Sequence, residues 1–322
     1  MTERPAVVVL GPRDEPPPGI ERALELAELR FAHGDAELRE ALPGADGLFF
    51  WRASRRDLET AWDSADRLRW IQTASDGVDG LLFPALAASD TIVTNGRGIF
   101  DDAIAEWVIG SLLAFATRIP ESFAAQRQHR WISGETERLA GSTLLVVGPG
   151  PIGRAVATRA RALGMEVAAV GRTSRPDDLF GQILGIDELV HAVAGADVVV
   201  DTLPLTPGTR HLFDAAVFAA MRPTARFVNV GRGATVDEPA LIAALGARQL
   251  AGAALDVFET EPLAADSPLW DLPGVIISPH MCGDFLGWEN VAVDLFLDNL
   301  GRFARGEDLR NLVDKHAGFG VG

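Results

Sequence analysis

Short runs of apolar, mostly β-branched residues recur along the chain, and the stretches between them carry apolar positions at helical spacing. The runs are Ala6–Leu10, Gly47–Trp51, Trp70–Thr73, Thr91–Thr94, Thr143–Val147, Glu166–Val170, Asp197–Asp201, Arg226–Val230, Gly252–Leu255 and Val275–Ser278. Strands of this kind, alternating with helices, predict parallel sheets covered on both faces. Four runs precede Asn95 and six begin at Thr143 or later, too many for one small sheet, so the pattern divides into two halves. Between them Asp101–Thr117 sets Ile104, Trp107, Val108, Leu112 and Phe115 at helical spacing behind Asp101 and Asp102 as caps, a long helix suited to a hinge strut. A second helix is expected near Phe285–Phe303, with Val293, Phe296, Leu297 and Leu300 on one apolar face, returning the chain to the first half. Arg52–Arg69 is rich in both charge signs and reads as a solvated helix face.

Composition narrows the chemistry. A chain of 322 residues suggests two domains, and a formal charge of −16 repels nucleic-acid phosphates and anionic membrane surfaces. Cys282 is the one cysteine, which excludes an intramolecular disulfide and a multi-cysteine metal site; no metal is expected. Tyrosine is absent and Lys315 is the one lysine, so mechanisms built on a tyrosine acid or a mid-chain catalytic lysine are excluded. The opening residues carry no secretory pattern and no apolar run reaches the length of a membrane span, so a soluble, cytoplasmic protein is expected.

Leu144–Val147 runs into Gly148-Pro149-Gly150-Pro151-Ile152-Gly153, and Arg154–Leu163 then reads as a helix. A glycine turn between strand and helix lets a pyrophosphate approach the backbone and meet unpaired N–H groups at the helix start. Alone such a turn is weak evidence; between a strand and a helix it points to a dinucleotide. The following strand, Glu166–Val170, leads into Gly171-Arg172-Thr173-Ser174-Arg175, where an acidic residue would hold the ribose hydroxyls of NAD. Arg172 and Arg175 suit a 2′-phosphate instead, so NADP(H) is expected over NAD(H), with NAD(H) use and a merely solvated loop left open.

Three further segments each follow a predicted strand: Val228-Asn229-Val230-Gly231-Arg232-Gly233, Asp256 to Leu263, and Ser278-Pro279-His280-Met281-Cys282-Gly283. They bring an arginine, a carboxylate and a histidine to one sheet edge, a set that suits hydride chemistry on an anionic carbonyl compound. Histidine titrates near neutrality and can protonate a forming alkoxide, while arginine orients a carboxylate. Taken singly, His280 is an ordinary loop residue, Arg232 an ion-pair residue, Glu259 and Glu261 exposed charges, and Cys282 a small packing residue.

With these segments, and with Asp201–Thr206 followed by Thr209, the chain resembles the D-isomer-specific 2-hydroxyacid dehydrogenases, glyoxylate and hydroxypyruvate reductases among them, over nearly its whole length. The resemblance implies two doubly wound α/β domains: a flavodoxin-like substrate domain of residues 1–99 and 285–322, and an inserted Rossmann cofactor domain of residues 100–284. It implies Arg232 on the substrate carboxylate and carbonyl oxygen, His280 as acid/base and Glu261 hydrogen-bonded to His280. The cofactor would meet Gly148, Gly150, Pro151, Ile152, Gly153, Arg172, Thr173 and Arg175. Further along its path would lie Leu203, Pro204, Thr209, Val230, Gly231, Arg232, His280 and Gly283, with Asp256 at the nicotinamide end.

In the first half, Thr73 to Asp79 aligns with the family's substrate-carboxylate loop, giving Ser75, Asp76 and Gly77 as an anion-binding nest with the Asp76 carboxylate facing out. Trp51 and Arg52 are expected to contact the substrate side chain, and Asn95–Ile99 to lie near the nicotinamide. Where the family commonly carries a small or hydroxyl residue, this chain has Asp284 after Gly283. The expected protein is thus an NAD(P)-dependent reductase of 2-keto acids, a homodimer through its cofactor domain with Trp131 near the interface. A non-catalytic, dinucleotide-sensing, corepressor-like protein is the second reading.

Overall fold

The computed structural model describes residues 4–320, which form two compact units, one of residues up to Phe100 with Phe285 onward, the other Asp101–Asp284. The first unit begins β1 (Ala6–Leu10), β2 (Glu28–Ala32), α1 (Asp35–Ala41), β3 (Gly47–Phe50), α2 (Arg55–Ala61), β4 (Trp70–Thr73), α3 (Pro84–Ala88) and β5 (Ile92–Thr94). The second contains α4 (Asp101–Ala116), α5 (Ile119–Arg127), β6 (Thr143–Val147), α6 (Pro151–Ala162), β7 (Glu166–Val170), β8 (Arg175–Asp177), β9 (Gly181–Leu184), α7 (Leu189–Ala194), β10 (Val198–Asp201), α8 (Ala215–Ala220), β11 (Arg226–Asn229), α9 (Glu238–Gly246), β12 (Gly252–Leu255) and β13 (Val275–Ile277). The chain then completes the first unit with α10 (Trp288–Arg305) and the short pair β14 (Val313–Asp314) and β15 (Phe319–Gly320).

In the first unit a parallel sheet has the order β2-β1-β3-β4-β5. Successive residues of β1, β3 and β4 bury on opposite faces, which is why these strands read as nearly unbroken apolar runs. Val8, Leu10, Leu48, Phe50 and Ile71 pack with Leu38, Leu58 and Leu86 of α1, α2 and α3. Val7, Val9, Phe49 and Trp70 pack with Val293, Phe296 and Leu300 of α10. Phe296 stacks on Phe49 with ring centroids 4.3 Å apart, the kind of aromatic pairing that adds to plain burial. This helix starts at Trp288, after Gly287 in the left-handed region, and not at Phe285.

The second unit holds the order β13-β12-β11-β10-β6-β7-β9-β8, parallel except for the β8–β9 pair. One face carries Leu145, Val147, Val199, Phe227 and Leu255 against α7, α8 and α9; Leu144 and Val146 are buried on the other, where α6 packs against α4. Strand order reverses between β6 and β10, so the crevice outside their carboxyl ends is where a sheet of this type receives a ligand.

Candidate active site

At the end of β6, Gly148 takes φ +102°, a conformation that favours glycine. Gly153 sits in the first turn of α6, where a Cβ would lie 2.4 Å from the Gly148 carbonyl oxygen and 2.6 Å from Val146 Cγ1. On the outer side nothing lies within 4 Å of a Cβ built on Gly150. The turn is therefore closed against the protein and open outward, with Pro151 at the helix start and Ile152 half-buried behind it. That cradle fits a dinucleotide pyrophosphate, which would accept from the N–H groups at the start of α6. Reduced or oxidised nicotinamide, when bound, supplies the hydride chemistry.

Arg172 and Thr173 are exposed in the turn after β7. Arg175, expected in the same loop, instead opens edge strand β8 and donates to the Thr173 carbonyl at 3.2 Å. The nearby Asp177 carboxylate is tied to Arg154 and to the N–H groups of Leu179 and Phe180. Leu203 is buried and Pro204 half-buried in the loop after β10, which Thr209 folds back on itself by donating to the Pro204 carbonyl at 2.7 Å and accepting from Thr206 N–H at 2.8 Å.

His280 lies in the left-handed region at φ +52°, and Asp256 braces the segment that carries it. The Asp256 carbonyl accepts from His280 N–H at 2.8 Å, and its carboxylate takes Ser278 Oγ at 2.5 Å and the N–H groups of Met281 and Cys282. Asp256 is 1% exposed, so its side chain is occupied inside the protein in holding the histidine segment, and does not stand open at the nicotinamide end as expected. His280 Nδ1 meets Glu261 Oε2 at 2.7 Å, and Glu261 Oε1 accepts Phe258 N–H at 3.0 Å. The imidazole Nε2 is thereby left as the nitrogen for a substrate oxygen.

The Glu261 hydrogen bond raises the His280 pKa, with burial and the Arg232 charge working against it. Burial pushes the Glu261 carboxyl up, but the hydrogen bonds from His280 and Phe258 and the charges of His280 and Arg232 outweigh it, and the net shift is down. The pair thus favours imidazolium beside carboxylate. Arg232 precedes a 3-10 turn of Gly233–Thr235, and its Nη1 donates to the Gly231 carbonyl at 2.7 Å. Glu259, which only the family motif separates from Glu261 in the sequence, faces His211 at 2.6 Å. Burial and the neighbouring Asp256 raise the Cys282 pKa, which disfavours the nucleophilic thiolate.

In the first unit, Ser75, Asp76 and Gly77 follow β4, where Ser75 Oγ donates to the Gly77 carbonyl at 3.2 Å. Among the described residues no hydrogen-bond acceptor meets the N–H groups of Gly77 and Val78, the donors an anion nest needs. The Asp76 side chain does not simply face out: it is half-buried, and Asn95 Nδ2 donates to its Oδ1 at 3.3 Å and to its carbonyl at 2.6 Å. Trp51 departs further from expectation. It is 1% exposed, its indole N–H donates to the Glu15 carbonyl at 3.0 Å, and its ring stacks on Trp288, because it extends the inward face that Phe49 begins. Arg52, at φ +46°, lies over the Trp51 and Trp288 rings and pairs with Glu15 at 2.8 Å and Glu289 at 2.7 Å.

A sheet of this order with a glycine cradle at its switch point, and an Arg–Glu–His set beyond it, defines an NAD(P)-dependent α/β oxidoreductase. Residues 109–282 match the family model described as "D-isomer specific 2-hydroxyacid dehydrogenase, NAD binding domain". The chain is 36% identical over 252 residues to glyoxylate/hydroxypyruvate reductase B of Klebsiella pneumoniae, covering 75% of this chain and 76% of that one. It is 32% identical over 297 residues to D-3-phosphoglycerate dehydrogenase of Methanocaldococcus jannaschii, covering 90% of this chain but only 56% of that longer protein. The crystal structure of an NADPH-dependent glyoxylate/hydroxypyruvate reductase from Sinorhizobium meliloti, in complex with NADP and sulfate, superposes with a TM-score of 0.84 at 27% identity, covering 98% of this chain and 100% of that one. The chain belongs to the D-isomer specific 2-hydroxyacid dehydrogenase family.

Proposed function

We propose that this enzyme reduces small 2-keto acids of the glyoxylate and hydroxypyruvate class to D-2-hydroxy acids, with NADPH as the preferred reductant. The observation that carries the reading is the 2.7 Å contact of His280 with Glu261, which biases the histidine toward the protonated form that a reduction consumes. His280 donates its Nε2 proton to the carbonyl oxygen as hydride reaches the carbon, help worth about 10²–10⁴ in rate. Arg232 pairs with the substrate carboxylate and stabilises negative charge growing on that oxygen. Arg172 and Arg175, both exposed, support the 2′-phosphate preference, as does the engagement of the nearby Asp177 with Arg154.

We infer also a homodimer through the second unit, a reading supported by the exposure there of two large apolar side chains, Trp131 at 98% and Phe123 at 62%. NADPH and NADH oxidation against a panel of 2-keto acids tests the function. Turnover with glyoxylate or hydroxypyruvate, and a higher kcat/KM for NADPH than for NADH, is expected. Equal efficiency with the two cofactors overturns the preference, and NADPH binding without turnover on any keto acid overturns the reductase reading in favour of a sensor.

A further inference from the structure

Asp201 ends β10 directly after three valines, and the chemistry above does not use it. It is 0% exposed, with Val147 of β6 and Asn229 of β11 as its register partners on either side. Two donors reach its carboxyl: Leu203 N–H at 2.9 Å from Oδ1, and the Thr235 hydroxyl at 2.5 Å from Oδ2. An ionised carboxylate has about four acceptor positions, and the two hydrogen bonds to Leu203 and Thr235 meet two of them.

The Thr235 hydroxyl decides where the proton is. Its oxygen lies 2.5 Å from Asp201 Oδ2 and 2.6 Å from the Arg232 carbonyl oxygen. A hydroxyl has one hydrogen and can donate to only one of two acceptors. If Asp201 is ionised, one of these contacts presses two oxygens together with no hydrogen between them. A proton on Oδ2 resolves both: Asp201 donates to Thr235, and Thr235 donates to the Arg232 carbonyl.

We propose that Asp201 works as a neutral carboxylic acid and that, through Thr235, it positions the segment bearing Arg232. The acid ties together the loops after β10 and β11, since its other oxygen holds Leu203 N–H. Those loops are in close contact, because a Cβ on Gly231 would lie 2.7 Å from the Leu203 carbonyl oxygen. Asn229 supports the same turn, donating to the Arg232 carbonyl at 3.2 Å and accepting Gly231 N–H at 3.0 Å. Burial moves the Asp201 pKa up to about 7, against the hydrogen bonds of Thr235 and Leu203.

Few charges face this carboxyl. Residues 202–209 and 233–235 carry none, and Asn229 is neutral. Arg232 turns its Nη1 to the Gly231 carbonyl, and Asp256, one strand beyond Asn229, is engaged with Ser278 and backbone N–H groups. Asp201 is a positioning residue, not a catalytic one.

The kinetic part of this inference rests on the proposed role of Arg232; the protonation state does not. Infrared difference spectra of the full chain with bound NADPH, recorded across pH for wild type and Asp201→Asn, test the proton directly. A carboxylic-acid C=O band that is present below about pH 7, fades above it and is missing in Asp201→Asn is expected. In steady state, the wild-type KM for the keto acid should rise about three- to tenfold as Asp201 ionises, the worth of one hydrogen bond. Asp201→Asn, whose amide N–H replaces the acid O–H toward Thr235, should hold KM level with an unchanged His280 limb in kcat. Thr235→Ser should behave as wild type and Thr235→Val should raise KM at every pH. A carboxylate signature at every pH overturns the proposal, as does Asp201→Asn with the same KM rise as wild type. If no keto acid is turned over, the infrared result still decides the proton, and the failure belongs to the proposed function.

Discussion

His280 and Glu261 each hold the other in its charged form, and the direction of both shifts fixes how activity responds to pH. Keto-acid reduction consumes the imidazolium, so its rate should hold to a pH above the ordinary histidine value and fall beyond it, because the Glu261 hydrogen bond raises the His280 pKa. Glu261→Gln removes that support and should move the falling limb to lower pH, measurable in kcat/KM profiles. An unmoved limb would mean that another group sets it. Asp201 acts on stability in the opposite sense to an ion-paired carboxylate. Its pKa is about 7 folded against 3.8 free, so between these values the folded protein keeps a proton that the unfolded chain loses. Stability from this group is full below the free value and is lost as pH rises toward about 7, a change of about 4 kcal/mol at 1.36 kcal/mol per pKa unit. Asp201→Asn escapes that loss, so denaturant unfolding should show the variant gaining on wild type as pH rises through this window. A difference independent of pH would contradict a neutral acid at this position.

The strands of the two sheets were legible because each is buried on both faces and so is apolar at nearly every position, as in Val7–Leu10 and Val198–Val200. Three outer strands lack that mark. β2, Glu28–Ala32, is half-exposed and mixes charge with apolar residues, and β8 and β9 form an exposed hairpin at the far edge of the second sheet, so none of the three stands out as an apolar run. That hairpin bears on the proposed cofactor preference, since it takes Arg175 out of the loop shared with Arg172 and puts it at a strand start. Alanine substitution of both arginines should lower kcat/KM for NADPH by about tenfold or more while leaving that for NADH within a few-fold, as expected for charge-assisted bonds to a phosphate. Equal losses with both cofactors would mean that they support the fold of the edge and not the phosphate. Among the candidate residues, the pairing of His280 with Glu261 was readable from their segments, but the brace from Asp256 and the contact of Asp201 with Thr235 were not. Those contacts join residues from separate strands, and a carboxylate after a run of valines does not announce what it will meet.

Each unit keeps its own core, and no single helix among the described residues is long and apolar enough to cross a membrane. The charge of −16 repels polyanions at long range but is screened over about 8 Å at physiological salt, so it does not forbid a small anionic ligand. The proposed dimer through Trp131 and Phe123 is tested at this scale: light scattering should give twice the chain mass of 34.3 kDa, and Trp131→Asp should shift it toward the monomer. A wild-type monomer at micromolar concentration would contradict a dimer. Catalysis is tested most directly by NADPH oxidation with glyoxylate or hydroxypyruvate, comparing wild type with His280→Ala at saturating cofactor. A kcat reduced about 10²–10⁴-fold with NADPH binding retained is expected of a lost proton donor. Undiminished turnover in His280→Ala would contradict the mechanism.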